Sequence, residues 1–269
     1  MAKRTEHYFI PAKDDYYDYN CNIFSDAITQ IQDEWQKENK PLIDRAIKEI
    51  KDAEYEWDNM CGVLENDEAM MNSSFLQRRA QGEVEAKRKR LYLSLYAQFF
   101  HQMVSKIEAV TVAVITRNDG YDGDRFDRNV LYAFGARAAT TEQERIKELK
   151  GFSEYDKLYT IWHFIKHNSK STYEAVLNLC PEILQKDPWN EKELRKYKQG
   201  DLAIFYIHFT NELIEQLLDG VKTFFKEFCR LVFGEDYDEA QWNYTKYFMK
   251  QVNSEIDGIR NPLGLPWWI

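Results

Sequence analysis

Residues 75 to 117 run without a proline, so an α-helix can pass through the whole stretch without meeting the strongest breaker. Ser73 or Ser74 stands ready to cap its first turn, so the sequence predicts a spine helix over 75–117. The rest of the chain shares this economy. Six prolines and eleven glycines in 269 residues are about half the ordinary turn-residue usage, which disfavours sandwiches and barrels. The expected fold is all-α, an antiparallel bundle of long helices.

Other segments fill in the bundle. A helical stripe from Ser25 passes through Ile28, Ile31, Trp35, Leu42, Ile43, Ile47, Ile50 and Trp57, with Pro41 either kinking one long helix or opening a second after Asn39. Asp119, Asp122 and Asp124 form an acidic turn whose spacing misses the ligand order of a calcium loop. Short helices are expected at 125–137 and 141–150, the latter with Thr141 and Glu144 as a capping box. Tyr155, Leu158, Tyr159, Trp162 and Ile165 mark the apolar side of a helix over 153–168, and Ser171 or Thr172 restarts a helix to Leu179. Residues 180–200 are unpatterned and read as a hinge or surface loop. Asp201 is then expected to cap a helix of about thirty residues that carries Ile204, Phe205, Ile207 and Phe209 on its apolar face and His208 in its core. A last helix is expected over 239–256. The whole chain reads as a single domain: an aromatic arm at 1–20, a bundle over 21–257, and a tail at 258–269 in which Trp267 and Trp268 seek a surface to dock on.

Composition narrows the function classes. Hydrophobic residues at 44%, with 15% aromatics, fill a sizeable core. Thirty-six basic against forty-five acidic residues leave a net charge of −9, which excludes a broadly basic nucleic-acid-binding surface and leaves room only for a local patch. Lys87-Arg-Lys-Arg90 is such a run, but Glu83 and Glu85 lie within a turn of it, and a solvated face is its plainer reading. Cys21, Cys61, Cys180 and Cys229 form no CxxC pair and read as reduced thiols of a cytoplasmic protein. The most apolar stretch, 202–233, is interrupted by charges such as Glu212, Glu215 and Asp219, so no membrane span is expected. No GxGxxG, GxxxxGK[ST], HExxH or GxSxG stands in the sequence, and no cofactor or metal is expected.

One segment carries chemistry. In Tyr155-Asp-Lys-Leu-Tyr-Thr-Ile-Trp-His-Phe-Ile-Lys-His-Asn168, His163 and His167 are one helical turn apart, with Lys166 beside them. Two imidazoles and an ammonium at a helix end bind phosphate and exchange protons near neutral pH, the chemistry needed to cleave RNA without metal. Two histidines are too few to complete a metal site. The plainer reading is that these residues are helix-terminal cations placed by the dipole, with Asn168 as the left-handed exit residue.

At these residues the chain resembles the HEPN superfamily of helical bundles, ribonucleases of toxin–antitoxin, phage-defence and CRISPR-associated systems, whose signature is an Arg followed after four to six residues by His. Lys166-His167-Asn168 is similar to the family's motif end. The segment Leu91-Tyr-Leu-Ser-Leu-Tyr-Ala-Gln-Phe-Phe100 resembles the neighbouring helix, and Tyr197-Lys-Gln-Gly-Asp-Leu202 the stretch after the motif. The resemblance implies His167, His163 and Lys166 as catalytic residues, with Asn168, His101 and Glu108 in supporting binding roles. It implies a homodimer with RNA or a cognate protein as partner. The chain departs from the pattern at Trp162, which stands where the signature arginine belongs, and at His163, where many members place Asn. An indole cannot replace a bidentate phosphate donor, so the expected protein either cleaves RNA with His163 or Lys166 as substitute cation or has lost cleavage and kept binding. A different class is also open: a non-enzymatic helical protein that binds another protein through its aromatic arm and Trp267-Trp268 tail, a reading the acidic net charge favours.

Overall fold

The structure is a computed structural model and describes residues 20–61, 67–119, 127–187 and 190–235. The aromatic arm, the acidic turn beyond Asp119, the expected helix at 239–256 and the tail lie outside the described residues. Within them the protein is all-α apart from one two-stranded sheet. The helices are α1 (Asn20–Glu34), α2 (Lys40–Cys61), α3 (Asp67–Lys89), α4 (Ala97–Asp119), α5 (Arg128–Ala138), α6 (Gln143–Lys147), α7 (Phe152–His167), α8 (Lys170–Leu179) and α9 (Asn211–Phe233). Among the described residues no helix is long and apolar enough to cross a membrane.

The spine helix starts earlier than its serines suggest. Helical backbone runs from Asp67, so Ser73 and Ser74 lie inside α3, and it continues through a wide π-helical turn at Arg90–Tyr96 into α4. A second wide turn, Trp35–Asn39, joins α1 to α2. Its cause is Pro41: with no N–H to donate one turn back, the ladder shifts to the Lys40 amide bonding the Trp35 carbonyl. The proline therefore deforms the helix without breaking it.

The chain divides into two compact units. The first takes α1 as far as Thr29, Lys106–Tyr155, and α9 from Leu218; the second takes Gln30–Ser105 and Asp156–Leu217. In the first unit, Phe24 stacks on Phe225 at 4.1 Å and Tyr155 on Phe224 at 4.5 Å, in a core that includes Leu131, Phe134 and Ile146. Close approach there demands glycine. Gly151 has φ +80°, and a Cβ on it would lie 2.1 Å from the Gly220 carbonyl oxygen and 2.6 Å from the Phe224 nitrogen. After α9, Gly234 (φ +69°) turns the chain, which brings the Glu235 carboxylate to the start of α1. One carboxylate oxygen accepts from the Asn20 amide at 2.9 Å and its side-chain nitrogen at 2.8 Å, and the other accepts from the Cys21 amide at 2.7 Å. Asn118 extends this buried network by donating to Asn20 Oδ1 at 2.8 Å.

Two helix starts, one in each unit, act differently from the sequence expectation. α6 begins after Glu142 with no side-chain cap, and Glu144 pairs with Lys147 instead of closing a capping box with Thr141. α8 is capped by Ser169, whose hydroxyl accepts from the Thr172 amide while Thr172 Oγ1 accepts from the Ser169 amide. The cap therefore stands two residues before Ser171 and three before Thr172.

The second unit packs Trp35 against Phe99 at 5.0 Å and Tyr96 against Phe209 at 5.0 Å. Glu215 clasps the wide turn before α2, accepting from Gln36 at 3.1 Å and Lys40 at 2.7 Å. Residues 180–200, expected to lack pattern, hold a 3₁₀ turn at Pro181–Ile183 and an antiparallel pair, β1 (Lys186–Asp187) with β2 (Asn190–Leu194). The long helix expected from Asp201 does not form there. Ala203–Tyr206 is a 3₁₀ turn, Ile207 bridges Leu184, and α9 begins only at Asn211, where Thr210 Oγ1 accepts from the Leu213 amide. Asp201 instead accepts from Arg195 and from the Tyr206 hydroxyl, both at 3.1 Å.

Candidate functional site

The last two turns of α7 gather the expected residues around one side chain. Trp162 is 5% exposed and donates its indole N–H to Nδ1 of His101 on α4 at 3.3 Å, with the two rings nearly parallel at 6.2 Å. Lys166 places its ammonium 4.4 Å from the centre of the Trp162 ring, a cation–π contact. The His163 ring lies 5.3 Å from the Trp162 ring and 5.7 Å, edge-on, from the His167 ring. His101, Lys166 and His167 are exposed and His163 is half-buried. Four expected site residues thus share one patch of the second unit, and Trp162 is its hub.

Asn168 ends the helix as the sequence indicates. Its φ of +43° is the left-handed exit, and its amide still bonds the Phe164 carbonyl at 2.9 Å. Its side-chain nitrogen donates to the Asp201 carbonyl at 2.9 Å and its own carbonyl accepts from the Tyr197 hydroxyl at 2.8 Å. Asn168 therefore ties the 195–206 segment beneath the site. Glu108 lies about two turns beyond His101 on α4 and belongs to the first unit.

Two further sequence readings resolve here. Within the basic run, Lys87 pairs with Glu83 at 3.6 Å and Arg88 with Glu54, as a solvated face requires. His208, expected in the core of a long helix, is exposed and outside any helix, its amide donating to the Ile183 carbonyl at 2.7 Å. The indole-to-imidazole bond had no local signal in the sequence, because its partners stand 61 residues apart.

The chemistry available is defined by which atoms are committed. Accepting from Trp162 requires His101 Nδ1 to be unprotonated, which leaves Nε2–H as the donor this ring offers a ligand. Lys166 offers an ammonium donor and His167 an imidazole ring at the C-terminus of α7. Trp162 offers none, since its only N–H is engaged. No nucleophilic thiol is found among the described cysteine side chains: Cys21, Cys180 and Cys229 are buried, and burial pushes the Cys180 thiol up to about 12. Comparison with family models, curated proteins and solved structures returns no match for the chain.

Proposed function

We propose that this is a HEPN-like RNA-binding protein whose cluster of His101, His163, Lys166 and His167 contacts the RNA phosphate backbone, and whose cleavage activity is weak or lost. What carries the reading is the placement of Trp162. It fills the position of the signature arginine and is enclosed by His101, His163 and Lys166, so the patch keeps its cations and proton carriers but lacks a fixed fork for the scissile phosphate. His167 at the helix end is placed to exchange a proton with a ribose hydroxyl, while Lys166 supplies charge. The reading also places two copies of the α7 end in one composite site, and sedimentation at micromolar concentration is expected to give a dimer.

Without the arginine, cleavage of single-stranded RNA in EDTA is expected to run about a hundred- to a thousandfold below that of an enzyme with a complete charge-stabilising donor set. Binding is expected to persist at low salt. Fluorescence anisotropy with a labelled single-stranded RNA is expected to show Lys166→Ala and His167→Ala each weakening binding by about fivefold, the effect of removing roughly 1 kcal/mol of exposed charged contact. Vigorous EDTA-resistant cleavage that survives His167→Ala, or RNA binding indifferent to both substitutions, would remove the cluster from the function.

A further inference from the structure

Two cysteines of the first unit lie in one layer between α1 and α9. The helices run antiparallel there, because the chain just past the end of α9 meets the start of α1. The Glu235 carboxylate accepts from the Asn20 and Cys21 amides, and the Glu235 amide donates to the Cys229 carbonyl at 3.3 Å. On the other side of this layer, Phe24 of α1 stacks on Phe225 of α9 at 4.1 Å. Cys21 stands about one turn before Phe24, and Cys229 about one turn after Phe225. Both cysteines therefore fall between the Glu235 carboxylate and the ring stack, and both are fully buried.

This placement suits a covalent link between the two sulfurs. Packed helix axes lie about 8–10 Å apart and each Cα lies about 2.3 Å off its axis, so facing Cα atoms stand roughly 3.5–5.5 Å apart. A disulfide takes Cα separations of about 4.4–6.8 Å, and the two ranges overlap. The Cys21 thiol donates to Asn22 Oδ1 at 3.9 Å, a weak bond that rotation about a single torsion gives up. Burial pushes the Cys229 thiol well above its ordinary range, with the Glu235 carboxylate and Cys21 adding to the rise, so this thiol is protonated and unreactive at rest. Two thiols are too few for a zinc site, and among the described residues no group of three His, Cys, Asp or Glu side chains is placed to hold a metal. Cys180 belongs to the second unit.

We infer that Cys21 and Cys229 are a dithiol–disulfide couple, oxidised by a hydroperoxide to a staple between the first turn of α1 and the last turns of α9. One sulfur, as thiolate, attacks a peroxide oxygen; the O–O bond breaks, hydroxide leaves and takes up a proton, and a sulfenic acid remains. The second sulfur then attacks the first, the S–O bond breaks, water leaves, and the S–S bond forms. Two electrons and two thiol protons pass to hydrogen peroxide, which ends as two waters. Because both sulfurs are shielded, the reaction waits on an opening of the first turn of α1, and the Glu235 bonds to Asn20 and Cys21 hold that turn shut. The staple closes a loop of 229 − 21 = 208 positions, which narrows the unfolded ensemble and favours the fold. The couple and the Trp162 cluster share no residue and belong to different units, so the inference stands whether or not the cluster handles RNA.

The test treats the reduced full chain with hydrogen peroxide in native buffer, blocks the remaining thiols, and maps a digest made without reductant by mass spectrometry. The expected product is a peptide pair joined through Cys21 and Cys229, with the thiol count falling from the four cysteines of the sequence to two. The linked protein is expected to melt about 5–10 °C higher than the reduced one, and dithiothreitol to reverse the gain. The same oxidation in urea is expected to scatter the links among all four cysteines, which separates a link directed by the fold from chance pairing. Cys21→Ala is expected to abolish both the link and the gain in Tm; the wild-type peptide map decides the question even if that variant fails to fold. Glu235→Ala, which releases the first turn of α1, is expected to speed the oxidation about tenfold or more. A thiol count that stays at four, links in native buffer made chiefly through Cys61 or Cys180, or a Cys21–Cys229 link without a rise in Tm each overturns the inference, and a rate indifferent to Glu235→Ala overturns its opening step.

Discussion

Replacing Gly151 with alanine is expected to cost the fold about 4 kcal/mol or more, read as a shift of the urea unfolding midpoint. Two independent penalties combine. The backbone at Gly151 sits at φ +80°, which costs an L-residue about 1–2 kcal/mol. The added Cβ would then meet the Gly220 oxygen at 2.1 Å and the Phe224 nitrogen at 2.6 Å, and both are backbone atoms of α9 that cannot rotate away. Relief requires α9 to move, which would disturb the Tyr155–Phe224 stack. A Gly151→Ala protein within 1 kcal/mol of wild type would show that this approach is looser than described.

The next largest effect is expected at Glu235. The carboxylate of Glu235, a residue 7% exposed, accepts three bonds from Asn20 and Cys21. Glu235→Ala leaves two main-chain amides and one side-chain amide buried without acceptors, a loss of about 3 kcal/mol at the rates typical of charge-assisted bonds and orphaned donors. Glu235→Gln retains one carbonyl oxygen and is expected to lose roughly half as much. Thermal melting by circular dichroism of the two variants side by side checks the order. An alanine variant as stable as the glutamine variant would mean the network contributes nothing.

Neither residue stood out in the sequence, and the reason is separation. Glu235 answers Asn20 across 215 positions, and the contacts of Gly151 come from α9. Local periodicity, by contrast, read well. Ile28, Ile31, Trp35, Ile43 and Ile50 of the first stripe are all buried. Leu42 is the member that fails, at 46% exposure, because the wide turn before Pro41 advances the helix relative to an unbroken 3.6-residue period. The segment 203–209 was misread for a different reason. Its nearly continuous apolar run has no period to tell helix from extended chain, and the tie is broken by the Leu184–Ile207 bridge and the exposure of His208.

The site was partly legible. The one-turn spacing of His163, Lys166 and His167 is local and places them together. The structural role of Trp162 was not local, and it changes how a mutational comparison is to be made. Trp162→Arg would set a guanidinium into a nearly buried position and remove the donor to His101, so it repacks the site at the same time as it adds a charge.

The wide turn at Arg90–Tyr96 works as a phase adjuster for the helix that crosses it. A π-helical turn takes up more residues than an α turn, and each residue of α-helix advances the azimuth by about 100°. The basic run of α3 and His101 of α4 lie on opposite sides of that adjustment along one continuous helical backbone. Imposing regular α geometry on 90–96 at unchanged chain length would rotate one set against the other by about a third of a revolution. Either Arg88 would leave Glu54 or His101 would leave Trp162. The Arg88–Glu54 pair and the His101–Trp162 bond are thereby clocked to each other by one local irregularity, and a change in the winding of this turn at constant length would break one of them without altering any residue in either.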